Sequence, residues 1–134
     1  DSSTSRGLGD VYKRQMNIRR FLKKIIFYSY TSFVIFMYTR PVPIERQLEE
    51  ASNLDLDKIF HFLTFFLLGV IAQLTNNKKN EYTYAVTLAL IISLFIEFTH
   101  FIIPYRDFEI LDGVFNIIGC ITGIAIIYYY RIKT

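Results

Sequence analysis

"EFTHFIIPYRDFEILDGVFNIIG", residues 97–119, decides how the whole chain is read. The stretch is apolar enough for the interior of a lipid bilayer, yet Glu97, His100, Arg106, Asp107, Glu109 and Asp112 all fall within it. Pro104 divides it, because proline disfavours helical geometry in the residue before it. Upstream, residues 82–103 form an apolar run that ends at this break. Downstream, residues 110–130 form another, with no charge from Gly113 to Tyr130. Each run is close to the roughly 20 residues that a membrane-crossing helix needs. The quoted stretch is therefore a turn between two spans, with ionisable side chains crowded where the spans meet it.

Further out lie two more runs. Residues 58–74 are rich in Phe and Leu, and residues 21–38 carry Lys23 and Lys24 near one end, where their stems can reach back to the interface. The fold class that follows is all-α, an integral membrane bundle of four transmembrane helices over about 21–38, 58–74, 82–103 and 110–130. Composition agrees with it. The 134 residues are 52% hydrophobic, which excludes a disordered chain and leaves too little polar surface to wet a soluble four-helix bundle. The sequence pI near 9.0 does not indicate nucleic acid, since the basic residues flank the apolar runs and make no single patch. Membrane lipids are the expected surroundings. Cys120 is alone, so no internal disulfide is available.

Residues 1–15, DSSTSRGLGDVYKRQ, are Ser/Gly-rich and lack apolar periodicity. They read as a non-native, disordered leader before Met16, without the apolar core of a secretory signal. A single domain over 16–134 remains.

Charge bias orients the bundle. Arg19, Arg20, Lys23, Lys24, Lys78, Lys79, Arg131 and Lys133 fall on one side. Most acids, among them Glu45, Glu49, Glu50, Asp55, Asp57, Glu109 and Asp112, fall on the other. The positive-inside rule then puts both termini and the turn at 75–81 in the cytoplasm. The loop at 40–57 and the PYRDFE turn face outward, and IERQLEEA (44–51) in that loop reads as a short amphipathic surface helix or a solvated charged run.

With this topology the polar residues converge. Asp57 and His61 are four apart at the outer end of the second helix and share a face. Glu97 and His100 are three apart at the outer end of the third, with Ser93 and Ala89 continuing that face inward. Asp112, Asn116, Gly119 and Gly123 make a stripe on the fourth, ending in a Gly-x-x-x-Gly step that admits a close neighbour. Taken singly, Asn116 is an interhelical tie, Asp112 a helix N-terminal acid favoured by the dipole, Lys58 an interfacial anchor and His61 a satisfied core histidine. A buried charge costs about 2.5–3.5 kcal/mol at the bilayer centre on insertion scales, so such groups face the bundle interior and pair. The expected pairs are Arg106 or Lys58 with Glu97 or Asp112, bridged by the histidines, around a polar cavity open to the outside.

These residues resemble the VanZ-like family of bacterial membrane proteins. The resemblance is carried by Asp57-Lys58-x-x-His61-Phe62, by Glu97 with a polar residue three later, and by Pro104-x-Arg106-x5-Asp112-x3-Asn116-x2-Gly119, in order over residues 16–134. Where that family commonly has glutamine after the glutamate, this chain has His100, a titratable group. The resemblance implies a small multi-pass protein of the bacterial cell membrane, in a family whose founding member is associated with low-level teicoplanin resistance.

Three functions are compatible with these residues. The first is an envelope protein binding a cell-wall precursor, an anionic lipid head group or a glycopeptide. There Lys58 and Arg106 would hold phosphate or carboxylate, with Asp57, Asp112 and Asn116 completing the ligand-binding set. The second is a membrane-embedded hydrolase or transferase acting on a lipid-linked phosphate, with Glu97, His61 and His100 as catalytic acid–base candidates. The sequence shows no nucleophilic serine motif, HExxH or phosphate-cradling glycine loop, and no cofactor is expected. No metal is expected either. If this second function did use a divalent ion, His61, His100 and Glu97, with Asp57 and Asp112, are the residues that would hold it. The third is a small dimeric exporter, which wants an acid near the midplane. Glu97 sits only about 8 Å from the outer end of its helix by helical rise, so outer-face access is the expected arrangement.

Overall fold

The computed structural model describes residues 2–40, 56–75, 82–103 and 108–133. These form four helices: α1 (Ser2–Tyr38), α2 (Leu56–Thr75), α3 (Thr83–Ile102) and α4 (Ile110–Lys133). The all-α expectation holds. The surface-helix reading of residues 44–51 and the turns at 76–81 and 104–107 lie outside the described residues.

Three of the four helices, α2, α3 and α4, are long and apolar enough to cross a membrane. The four-span expectation is met for these three, and α1 is not among them. The cause is visible in its sequence: Lys23 and Lys24, and then Tyr28-Ser29-Tyr30-Thr31-Ser32, dilute its apolar content. Its start also differs from expectation. The backbone of 2–15, read as disordered, is the first part of a continuous helix. Extending a formed helix adds one hydrogen bond per residue fixed, so Gly7 and Gly9 (about 1 kcal/mol each against alanine) do not stop it. From Val11 to Ile26 every side chain is exposed, and packing begins at Phe27.

The helices alternate in direction. Tyr30 Oη of α1 donates to Thr64 O of α2 at 3.0 Å, and Thr75 Oγ1 reaches Lys23 O at 3.4 Å, so α1 runs antiparallel to α2. The α2–α4 pair is parallel: Gly119 of α4 lies against the Phe62 carbonyl and Gly123 against the Phe66 carbonyl, one turn further along both. In the opposite sense, Gly69 of α2 lies against the Cys120 carbonyl. At all three points a Cβ would run into the facing backbone, so glycine sets how closely the two helices approach. Antiparallel to both runs α3, with Tyr82 stacked edge-on against Tyr128 at one end and Glu97 beside Asn116 towards the other.

Apolar side chains make the centre of the bundle, among them Val34 of α1, Phe65 and Leu68 of α2, Ile96 of α3 and Ile124 of α4. The outer surface is apolar too, with Leu63, Leu94, Phe98, Phe101 and Ile118 exposed. A water-soluble bundle hides such residues, and a bundle surrounded by hydrocarbon does not need to. The third helix ends at Ile103, whose φ −83° and ψ 117° are the extended geometry that the following proline favours.

Candidate functional site

One end of the bundle collects the polar side chains. Asp57, Lys58 and His61 come from the first turns of α2, Glu97 and His100 from the last turns of α3, and Asp112 and Asn116 from the first turns of α4. The buried stripes are those that the spacing implies. On α3, Ala89, Ser93, Glu97 and His100 are buried, and on α4 Asp112, Asn116, Gly119 and Gly123 are. Polar groups buried there require partners, since an unpaired one costs about 1–3 kcal/mol and more if charged.

Asn116 supplies the central link. Its Nδ2 donates to Glu97 Oε1 at 3.0 Å, and its Oδ1 lies 2.8 Å from His61 Nδ1. Glu97 Oε1 accepts the amide hydrogen, and this contact fixes the orientation of the amide. The amide oxygen then faces His61, whose Nδ1–H is the donor. Three helices are joined through one asparagine that is fully buried.

Around this chain stand two further groups. At the rim, Lys58 Nζ bonds Glu109 Oε2 at 3.1 Å and lies 4.0 Å from Asp112 Oδ1. The His61 Nε2 atom lies 3.7 Å from Asp57 Oδ1 and 3.7 Å from Asp112 Oδ2. On the α1 side, His100 Nε2 lies 3.2 Å from the backbone oxygen of Tyr38, which can only accept, so Nε2 is the donor. Tyr38 is the last residue of α1, where carbonyls have no partner within the helix, and the histidine supplies one. His100 Nδ1 then faces Glu97 Oε2 at 3.7 Å. The Tyr38 ring is buried against both histidines, with centroids 4.5 Å from His61 and 6.2 Å from His100.

The expected pairing is thus altered in one respect. Among the described residues Glu97 is held by the Asn116 amide and faces His100, whereas Lys58 pairs with Glu109 and Asp112. An amide reaches Glu97 from the neighbouring helix, while Lys58 sits at the exposed rim beside the acid nearest to it. Arg106 lies outside the described residues. Glu109 and Tyr38 are contributors that the spacing did not single out. Glu109 precedes α4, and Tyr38 acts through its ring and its backbone carbonyl, which side-chain chemistry does not advertise. Gln73, also fully buried, lies on the same face of α2 about 18 Å from His61 by helical rise, at the other end of the bundle and outside this site. Its amide on an apolar stripe was a legible signal.

The arrangement has the means to hold a cation between carboxylates, to fix the tautomer of His61 through Asn116, and to present Lys58 and Glu109 at its mouth. A family model described as VanZ/LLP1 matches residues 4–132 of the chain. No curated protein and no solved structure matches it.

Proposed function

The chain belongs to the VanZ/LLP1 family, and from that premise we propose that it is a multi-pass protein of the bacterial cell membrane, with its termini in the cytoplasm and its polar end at the outer face. There it engages the polar head group of a cell-envelope precursor, an anionic lipid or a glycopeptide, and contributes to glycopeptide resistance. One observation carries this reading: α2, α3 and α4 spend buried polar side chains at the same end, tied by His61–Asn116–Glu97. Helix packing alone needs no such concentration of ionisable groups in an apolar setting. At the rim, Lys58 supplies the cation for a phosphate or carboxylate, and Glu109, half exposed, accepts from hydroxyl or amino groups. Arg106 is assigned a second, forked contact to the same anion. In this reading α1 crosses the membrane as a fourth span.

The test is to express the chain in a teicoplanin-sensitive bacterium and compare it with Lys58→Ala, Arg106→Ala and Asn116→Ala at matched membrane levels. Loss of protection in the variants supports the reading. Equal susceptibility in all strains, including one without the protein, contradicts it.

A second reading is a hydrolase or transferase acting on a lipid-linked phosphate. It is favoured by His61 Nε2, which has no hydrogen-bond partner and faces two carboxylates. Release of phosphate from a polyprenyl phosphate or diphosphate by purified protein, abolished by His61→Gln, separates the two.

A further inference from the structure

The orientation of His61 is determined outside its own helix. Glu97 fixes the Asn116 amide, the amide oxygen takes the Nδ1 proton, and the neutral ring therefore presents the Nε2 lone pair. The Nε2 atom lies 3.7 Å from both Asp57 Oδ1 and Asp112 Oδ2. His61 is fully buried and Asp112 is 4% exposed, and neither Nε2 nor Asp112 Oδ1 has a hydrogen-bond partner. A lone pair facing two carboxylates is repulsive. A proton on Nε2 would make these contacts ion pairs, yet at 3.7 Å neither would be a hydrogen bond, so Nε2 would still lack one.

We infer that Asp57, His61 and Asp112 form a binding site for one divalent transition-metal cation, of the Zn2+ or Mn2+ kind. One ligand atom from each of the three residues lies within 4.8 Å of the other two. Ligands around a tetrahedral ion at about 2.0–2.1 Å are about 3.4 Å apart, so a contraction of a few tenths of an ångström brings the two contacts of Nε2 to that spacing. One imidazole with two carboxylates is a donor set that suits such ions, and two negative charges balance two positive ones in a low-dielectric setting. Asn116 is then the outer hydrogen bond that sets the tautomer of a ligating histidine, and Glu97 the group that sets Asn116. Lys58 opposes the cation, but it stands beside the other oxygen of Asp112 and its charge is offset by Glu109. His100 and Glu97, metal candidates on sequence grounds, lie on the α1 side of Asn116 and take no part. The site stands whether or not an envelope ligand binds at the rim.

The experiment uses the full chain, purified in detergent without a polyhistidine tag and equilibrated by dialysis against Zn2+ or Mn2+. Metal content is read by elemental analysis and affinity by titration. The expected result is about one ion per chain for the wild type and for His100→Gln. Asp112→Asn and His61→Gln should bind at least about tenfold more weakly, and Asn116→Ala about 10–100-fold more weakly. Helical circular dichroism and elution volume report folding. If Asp112→Asn does not fold, a rise in melting temperature on adding metal that is present in the wild type and absent in His61→Gln decides. A wild type that takes up neither ion overturns the proposal, as does uptake that survives in folded His61→Gln or depends on His100. Drug susceptibility plays no part in this readout, so failure of the envelope reading is scored separately.

Discussion

Asn116 donates its amide hydrogen to Glu97 across 3.0 Å, binding the start of α4 to the end of α3 inside the bundle. Both residues are almost wholly buried, so the bond is shielded from water and lipid alike. Its other neighbour, His61, brings in α2. The three apolar helices are fixed to one another at their polar end by a single short side chain.

Replacing that side chain should be costly. Asn116→Leu leaves Glu97 Oε1 and His61 Nδ1 buried without partners, and a loss of about 1–3 kcal/mol in unfolding free energy is expected in detergent. Thr122→Val is the comparison, because the Thr122 hydroxyl is exposed and bonds only its own helix, at Ile118 O. Its effect should stay within about 0.5 kcal/mol. Equal losses for the two would mean that Asn116 is a surface tie of no special weight.

The close approach of α2 and α4 gives a second, steric prediction. Gly119→Val and Gly123→Val place a branched side chain against the carbonyls of Phe62 and Phe66, which are backbone and have little room to move. Each should destabilise by at least about 1–3 kcal/mol or abolish folding. Gly113→Ala should be tolerated, since the nearest atom to the new methyl is the flexible Glu97 Cγ at 3.5 Å. Thermal denaturation of the three variants checks this. A Gly113→Ala less stable than Gly119→Val would contradict the packing described.

Orientation is open to direct labelling. With the buried Cys120 changed to serine, Glu109→Cys should react with a membrane-impermeant maleimide on intact cells. Lys133→Cys should react only after the membrane is permeabilised. The reverse pattern would place the polar end inside the cell.

Much of this was readable in the sequence, and for identifiable reasons. Membrane-grade apolar runs stop at charges and prolines, which located α2, α3 and α4 to within two or three residues. Helical spacing put Glu97 with His100 and Asp112 with Asn116 on buried faces. The pairing itself was not readable, because it depends on which helices are neighbours and at what depth. Arg106 or Lys58 was the expected partner for Glu97, and the Asn116 amide takes that place because the packing of α3 against α4 sets it at the same depth. The role of Tyr38 was hidden because its contribution to His100 is a backbone carbonyl. The helical backbone at the start of α1 was not legible, because composition alone describes what a segment prefers, while attachment to a following helix changes what it does.

The most direct test of the account is a set of double-mutant cycles centred on Asn116, measured as unfolding free energies in detergent. Asn116→Ala is combined in turn with Glu97→Ala and with His61→Ala. The account predicts coupling in both cycles, of about 0.6 kcal/mol and up to about 1.7 kcal/mol, the average and the maximum found for interhelical hydrogen bonds in a membrane protein. Effects that simply add in both cycles would mean that the three helices do not share a polar centre, and the account would be contradicted.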